Sequence, residues 1–142
     1  MNVIARMRAA GLALAVLVFA VDQWVKGQVI GPLRLEQVGQ IEILSFFNLT
    51  YARNYGVSLG MFEATSSEMR WVLVGFTLLI AVFVAVWMLR EKAWGEVLGL
   101  SLILGGAAGN IVDRVSYGYV IDYADLHFGT FRPFLIFNVA DA

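Results

Sequence analysis

The sequence has no cysteine and a single histidine, His127, among its 142 residues. The absence of cysteine excludes disulfides, thiolate nucleophiles and cysteine-ligated metal sites. A lone histidine argues against a histidine-based metal centre and against a Ser-His-Asp triad. The groups left for chemistry are carboxylates, hydroxyls, amides and the side chains of lysine and arginine, so we expect neither a metal nor a cofactor.

Charge is also scarce. Only 15% of the residues are charged and 60% are hydrophobic, whereas a soluble domain has about 25% charged residues. This composition indicates a membrane protein, and the length is that of one domain. The net charge of -1 argues against nucleic acid as a partner, because no basic stripe is available to neutralise phosphates.

Three apolar stretches have about the length that a transmembrane helix requires, roughly 20 residues. They cover residues 9–21 with an extension to residues 24–25, residues 71–89 and residues 94–115, and the second contains no charged residue. Residues 134–142 begin a fourth apolar segment. We therefore expect residues 1–142 to form a single membrane-embedded domain that is truncated before its fourth transmembrane helix.

The first apolar stretch has a second interpretation. Arg6 and Arg8 precede it, and Val18 and Ala20 form a passable cleavage site, so a cleaved signal peptide is an alternative. Residues 24–25 extend the stretch toward the length of a full span, which favours a transmembrane helix.

Two segments outside the apolar stretches predict strands. Residues 41–62 are dense in β-branched and aromatic residues, and residues 117–123 alternate tyrosine or isoleucine with other residues. Both follow an odd number of spans and therefore lie on the same side of the membrane. The predicted fold class is an all-α membrane bundle, with three complete transmembrane helices and the start of a fourth, carrying a small β element. Only the short REKAW segment joins the second and third spans, which predicts an antiparallel helical hairpin.

The basic residues predict the orientation. Four of them occupy short flanks on one side of the membrane: Arg6, Arg8, Arg90 and Lys92. Six others lie in longer segments on the opposite side. Because the positive-inside rule weights short flanks over long loops, we place the N-terminus and the hairpin turn in the cytoplasm and the β element outside.

The third apolar stretch ends in polar groups that are costly to bury. Asn110, Asp113 and Arg114 stand at i, i+3 and i+4 and can reach one face of the helix. Ionisable groups at membrane depth usually face the protein interior and often mark function. The alternative is that Asp113 and Arg114 lie at the headgroup boundary, with Arg114 extended toward water. On the same helix Gly105 and Gly109 predict close approach of a neighbouring helix.

Other residues also have simple structural interpretations. Asp22 and Lys26 have the i,i+4 spacing of a helical ion pair. Asn138 and Asp141 have the spacing of a helix N-cap with an acidic residue in the first turn. Gly95 and Gly99 predict a second close helix contact. Asn54 and Gly56 predict a turn.

Two aspartates stand in segments that the chain can bring together. Asp122 lies in the strand-like segment after the third span, and Asp141 lies where the fourth apolar segment begins. The strand connects the outer ends of these two elements, so both carboxylates can be buried at one place.

The segments DQWVK, RNYG, GGAAGNIVDR, GYVIDY and FNVAD resemble, in order and spacing, those of the bacterial lipoprotein signal peptidases, or signal peptidase II. The resemblance covers nearly the whole chain. It implies an aspartyl endopeptidase of the bacterial inner membrane. The expected substrates are lipid-modified prolipoproteins, and the enzyme is surrounded by membrane lipids. The cut lies N-terminal to a diacylglyceryl-modified cysteine. It also implies four transmembrane helices, an outward-facing β-cradle and a site near the outer face.

The resemblance assigns the catalytic roles to Asp122 and Asp141. It implies that seven further positions bind substrate or brace the site: Asp22, Asn54, Gly56, Asn110, Asp113, Arg114 and Asn138. One departure from the family pattern falls on residues 57–60, VSLG, where many members have AAFS, so we expect a differently shaped loop over the site.

Two other functions are compatible with the polar residues alone. The chain could be a helper subunit whose polar groups hold helices together, in which case Asp122→Asn is tolerated. It could also be a lipid-headgroup enzyme or transporter in which Arg114 and Arg132 bind phosphate, in which case the arginines matter more than the aspartates.

Overall fold

The computed structural model describes residues 2–56, 67–131, 133 and 135–141, with helices, three strands and a short 3-10 turn. The helices are α1 (Val3–Ile30), α2 (Leu35–Val38), α3 (Ser67–Arg90) and α4 (Trp94–Tyr117). The strands are β1 (Gln40–Leu44), β2 (Phe47–Asn54) and β3 (Val120–Leu126), and the 3-10 turn is Val139–Asp141.

Three of the described helices are long and apolar enough to cross a membrane: Val3–Ile30, Glu68–Arg90 and Trp94–Tyr117. This confirms the three predicted spans. The first is longer than the apolar run alone, because Asn2 caps its start by accepting a hydrogen bond from the Ala5 amide at 2.8 Å. The helix ends at Ile30 and is capped by Gly31, whose N–H bonds to the Gly27 carbonyl, and Pro32 follows.

Helix α1 is an integral part of the bundle. It packs along α4, and its polar residues Asp22 and Lys26 are buried there. This packing favours the transmembrane helix over the signal peptide for the first apolar stretch. Helices α3 and α4 form the predicted hairpin, and Arg8 Nε donates to the Leu89 carbonyl at 2.8 Å, so the start of α1 lies beside that hairpin turn.

Glycines let α1 and α4 approach closely. A Cβ on Gly105 would lie 2.7 Å from the Cβ of Val18, and one on Gly109 would collide with the carboxylate of Asp22. The predicted second contact through Gly95 and Gly99 is wrong, because among the described residues no atom beyond the local backbone of α4 lies within 4 Å of a Cβ placed at either position. Gly99 lies six positions before Gly105, which turns it about a third of a turn away from α1.

The three strands form one antiparallel sheet in the order β1-β2-β3. This confirms that the two strand-like segments combine into one small β element. The last strand begins at Val120, later than the predicted start at residue 117, because α4 continues to Tyr117. Gly118 then ends the helix in the left-handed region, with φ 86°, and its N–H bonds to the Arg114 carbonyl.

Strand β3 places the sheet against the bundle. Six of its seven residues are buried, and a cluster of apolar side chains around Val29, Leu35 and Ile121 joins the sheet to the end of α1. The junction of β3 with α1 and α4 is where the buried polar side chains meet.

Candidate active site

Asp122 is the third residue of β3 and is 2% exposed. Its Oδ1 accepts a hydrogen bond from Asn138 Nδ2 at 2.8 Å. Burial, and then the neighbouring charge of Asp141, raise the pKa of Asp122 to about 7, although hydrogen bonds from Asn54 and Asn138 and the charge of Lys26 act in the opposite direction. The carboxyl group is therefore poised to exchange a proton near neutral pH.

The chain returns to Asp122 after β3 through a short antiparallel bridge. The Phe137 carbonyl accepts from the Ala124 amide at 2.7 Å, and the Phe137 amide donates to the Ala124 carbonyl at 3.0 Å. This bridge places Asn138 beside Asp122 and sets the position of the 3-10 turn that carries Asp141.

Asn138 and Asp141 cap each other. The Asp141 amide donates to Asn138 Oδ1 at 3.1 Å, and the Asn138 amide donates to Asp141 Oδ2 at 3.4 Å. The predicted capping interaction is therefore present. The described residues form a single 3-10 turn at the predicted start of the fourth helix. This turn lies against α4, since a Cβ on Gly106 would be 2.7 Å from the Ala140 carbonyl oxygen.

Lys26 connects α1 to α4 below the two aspartates. Its Nζ lies 2.8 Å from Asp22 Oδ2, 2.9 Å from Asp113 Oδ2 and 3.1 Å from Asn110 Oδ1. The predicted Asp22–Lys26 pair is therefore present, but it belongs to a larger cluster. Gln23 joins this cluster by donating to Asp113 Oδ1 at 3.2 Å.

Asn110 links the lysine cluster to the aspartates. Its Nδ2 donates to Asp141 Oδ1 at 3.4 Å, while its Oδ1 accepts from Asn138 Nδ2 at 3.2 Å. Asp113 connects the same helix to the sheet, because its Oδ2 accepts from the Ile121 amide at 3.1 Å. The polar end of α4 is thus bonded to β3 and to the 3-10 turn.

Arg114 points into the protein. It is 4% exposed, and its Nη2 donates to the Gly56 carbonyl. The alternative of an arginine extended toward water is therefore wrong. The Gly56 amide donates to Asn54 Oδ1 at 2.9 Å, so the predicted turn is present and is held against α4.

The structure brings all nine predicted site residues into one connected set of hydrogen bonds and charges. Sequence reasoning missed the wider role of Lys26, and it missed Gln23 and Arg70. Arg70 Nε donates to the Arg114 carbonyl at 2.7 Å, across two helices, and nothing in the sequence pairs these positions. The predictions for residues 57–60 and for Arg132 lie outside the described residues.

The arrangement offers two carboxylates within charge-interaction range, two amides that donate to them, and a buried guanidinium beside them. Such a set can activate a water molecule and bind peptide groups.

Comparison with known proteins identifies relatives that match nearly the whole chain. Residues 14–142 match the family described as signal peptidase (SPase) II. The chain is 59% identical, over 132 residues, to the lipoprotein signal peptidase of Sphingopyxis alaskensis, covering 93% of this chain and 76% of that protein. It is 50% identical, over 135 residues, to the lipoprotein signal peptidase of Rhizorhabdus wittichii, covering 95% of this chain and 78% of that protein.

Solved structures share the fold. A bacterial membrane enzyme determined by the in meso method superimposes with a TM-score of 0.77 at 26% identity, covering 94% of this chain and 79% of the other. The multi-pass helical bundle with its small sheet is therefore the architecture of a known bacterial membrane enzyme.

Proposed function

Because this chain belongs to the signal peptidase II family, a family of proteases that remove signal peptides from prolipoproteins, we propose that it is an intramembrane aspartyl endopeptidase. Its substrates are diacylglyceryl-modified prolipoproteins, and the cut lies on the N-terminal side of the lipidated cysteine. The observation that carries the proposal is the pair formed by Asp122 and Asp141.

The pair suits general acid–base hydrolysis. Two carboxylates that interact closely do not both ionise readily, so they share a proton near neutral pH. The pKa of Asp122, raised to about 7 by burial and by Asp141, is consistent with this sharing. The ionised carboxylate takes a proton from water, which attacks the scissile carbonyl carbon, while the protonated carboxyl hydrogen-bonds to the carbonyl oxygen. The two groups titrate as a unit.

The remaining site residues bind the substrate or hold the catalytic pair in position. In the proposed mechanism, Arg114 and Asn110 donate hydrogen bonds to the substrate backbone. Asp22, Asp113 and Asn138 hold these donors and the catalytic pair in position through the contacts already described.

We place the protein in the bacterial inner membrane, with its N-terminus in the cytoplasm and its active site near the outer face. This orientation rests on the basic residues in the short flanks. It brings the site to the side on which a translocated prolipoprotein presents its modified cysteine.

Product mapping tests the proposal. The purified protein is incubated with a diacylglyceryl-modified prolipoprotein, with a metal chelator present, and the products are identified by mass spectrometry. We expect a product whose first residue is the lipidated cysteine. The same substrate without the lipid serves as the control and should be cut more slowly. A cut elsewhere in the substrate, or loss of activity to the chelator, would contradict the proposal.

A further inference from the structure

The ammonium group of Lys26 has a complete set of partners. Lysine offers three N–H donors and no acceptor, and Lys26 Nζ has three oxygen partners between 2.8 and 3.1 Å: Asp22 Oδ2, Asp113 Oδ2 and Asn110 Oδ1. The residue is 2% exposed. The two aspartates come from different helices, so they hold Nζ between α1 and α4 and leave its third donor for Asn110.

This contact determines the orientation of the Asn110 amide. Turning that amide over would place its NH₂ group against the ammonium, donor facing donor, inside the membrane where an unsatisfied polar group is costly. The carbonyl oxygen of Asn110 must therefore face Lys26. Its NH₂ group consequently faces Asp141 Oδ1, at 3.4 Å.

The orientation of the Asn110 amide in turn favours one orientation of the Asn138 amide. The oxygen of Asn110 also accepts from Asn138 Nδ2 at 3.2 Å, and the Ile121 carbonyl accepts from the same nitrogen at 3.2 Å. With its NH₂ group directed this way, Asn138 donates to Asp122 Oδ1 at 2.8 Å. Its own oxygen accepts from the Asp141 amide.

We propose that Lys26 is a positioning residue for the catalytic pair: through Asn110 and Asn138 it directs one amide donor at each of the two carboxylates. The proposal rests on the proposed function, since it concerns the same aspartate pair. Both donors favour an ionised carboxylate over a protonated one. Lys26 thus keeps one carboxylate of the pair ionised and able to accept a proton from water.

Other charged or titratable groups also face the pair. Arg114 comes from α4, and the Tyr123 hydroxyl comes from β3 and accepts from the Val139 amide. Asp22 and Asp113 face Lys26 itself. A test must therefore change Lys26 without changing the net charge of its cluster.

The double variant Lys26→Met/Asp22→Asn meets this requirement, because it removes one positive and one negative charge. The wild type is its reference, because the double variant and the wild type have the same net charge. We expect the acidic limb of the kcat–pH profile to move up by about one unit in the double variant relative to the reference. At a pH below the limb, kcat then falls about tenfold. KM for the lipidated substrate should change little, because Lys26 is 2% exposed and its three donors are taken up by oxygens of the protein.

A merely structural role predicts a different outcome, namely less folded protein and a kcat that falls equally at every pH. Lys92→Met, at the exposed hairpin turn, is the control for loss of a lysine and should leave the limb in place.

Asn110→Leu in the Asp22→Asn background separates the relay through the amide from a direct effect of the lysine charge. If the relay operates, this variant shows the same shift of the limb, and adding Lys26→Met to it shifts the limb no further. A further shift of similar size would mean that Lys26 acts by its charge alone, which would overturn the proposal. If the lysine variant does not fold, an unmoved limb in Asn110→Leu overturns it equally well.

The proposed function has its own readout in the same assay. Turnover by Asp122→Asn refutes the aspartyl mechanism. An inactive Asp122→Asn combined with an unmoved limb in the Lys26 variant refutes only the positioning role.

Discussion

Ionising the buried Asp122 costs free energy that interactions with its neighbours only partly offset. The carboxyl group is nearly fully buried, and the hydrogen bonds from two asparagine side chains favour its ionised form, yet its pKa still lies at about 7. Burial outweighs the hydrogen bonds because the low-polarity junction of sheet and bundle solvates a charge poorly. The folded protein therefore favours the protonated Asp122.

The free energy of unfolding should therefore depend on whether Asp122 is ionised. The folded pKa of about 7 exceeds the ordinary value of 3.8, so the stabilisation from protonated Asp122 is fully present below pH 3.8 and is lost as the pH rises through about 7. We expect Asp122→Asn, which cannot ionise, to unfold at a higher temperature than the wild type at pH 8. The corresponding free energy is on the order of a few kcal/mol, and the difference should vanish near pH 4.

Thermal unfolding in detergent at several pH values measures this difference. Glu42→Gln, at an exposed position of β1, is the control and should show no such trend. A difference between Asp122→Asn and the wild type that does not depend on pH would contradict the argument.

At the scale of secondary structure, the contact between α1 and α4 holds the site together. Gly105 and Gly109 remove the side chains that would keep the helices apart, and the carboxylate of Asp22 occupies the space beside Gly109. The lysine cluster, and through it Asn110, depends on this short distance between helices.

A bulky residue at Gly109 should separate the helices. We expect Gly109→Leu to lower the yield of folded protein and to abolish most activity, because the new side chain would overlap Asp22. Gly99→Leu is the matched control: it makes the same change in the same helix, but no neighbour in the described part of the chain lies within 4 Å of the added Cβ. Yield and cleavage in detergent measure both variants, and normal cleavage by Gly109→Leu would show that the close packing is not required.

The three long helices and the proximity of Asp122 to Asp141 could be predicted from the sequence, whereas the cross-helix contacts could not. A transmembrane span can be predicted because it lacks charged residues. The ion pair of Asp22 and Lys26 can be predicted because its i,i+4 spacing is a local pattern. The contact of Lys26 with Asp113 depends on how α1 rotates against α4, which no local pattern specifies. The start of β3 was missed for a related reason: the end of α4 is determined by Gly118 and by Arg70, which reaches it from α3.

At the scale of the whole molecule, the bundle has two distinct ends. The start of α1 and the α3–α4 turn lie at one end, joined by the contact of Arg8 with Leu89. The sheet follows the other ends of α1 and α4 and carries the candidate site. The charge pattern of the short flanks predicts that the first end is cytoplasmic.

Single cysteines test this orientation cleanly, since the chain has none of its own. Arg53→Cys lies on β2 at the sheet, and Lys92→Cys lies in the α3–α4 turn. In intact cells with the outer membrane permeabilised, a membrane-impermeant thiol reagent should label Arg53→Cys and spare Lys92→Cys. Labelling of Lys92→Cys without permeabilising the inner membrane would reverse the orientation.

The central claim is that Asp122 and Asp141 act as one catalytic unit, and cleavage of a diacylglyceryl-modified prolipoprotein by single and double Asp→Asn variants tests it most directly. Asparagine keeps the size and hydrogen bonding of each side chain but cannot hold the shared proton. Asp125→Asn, on the same strand and bonded to Thr50, is the control and should retain activity. We predict that each single variant loses about 10²–10⁴-fold in kcat and that the double variant is hardly slower than either. Appreciable turnover by Asp122→Asn or Asp141→Asn would contradict the account.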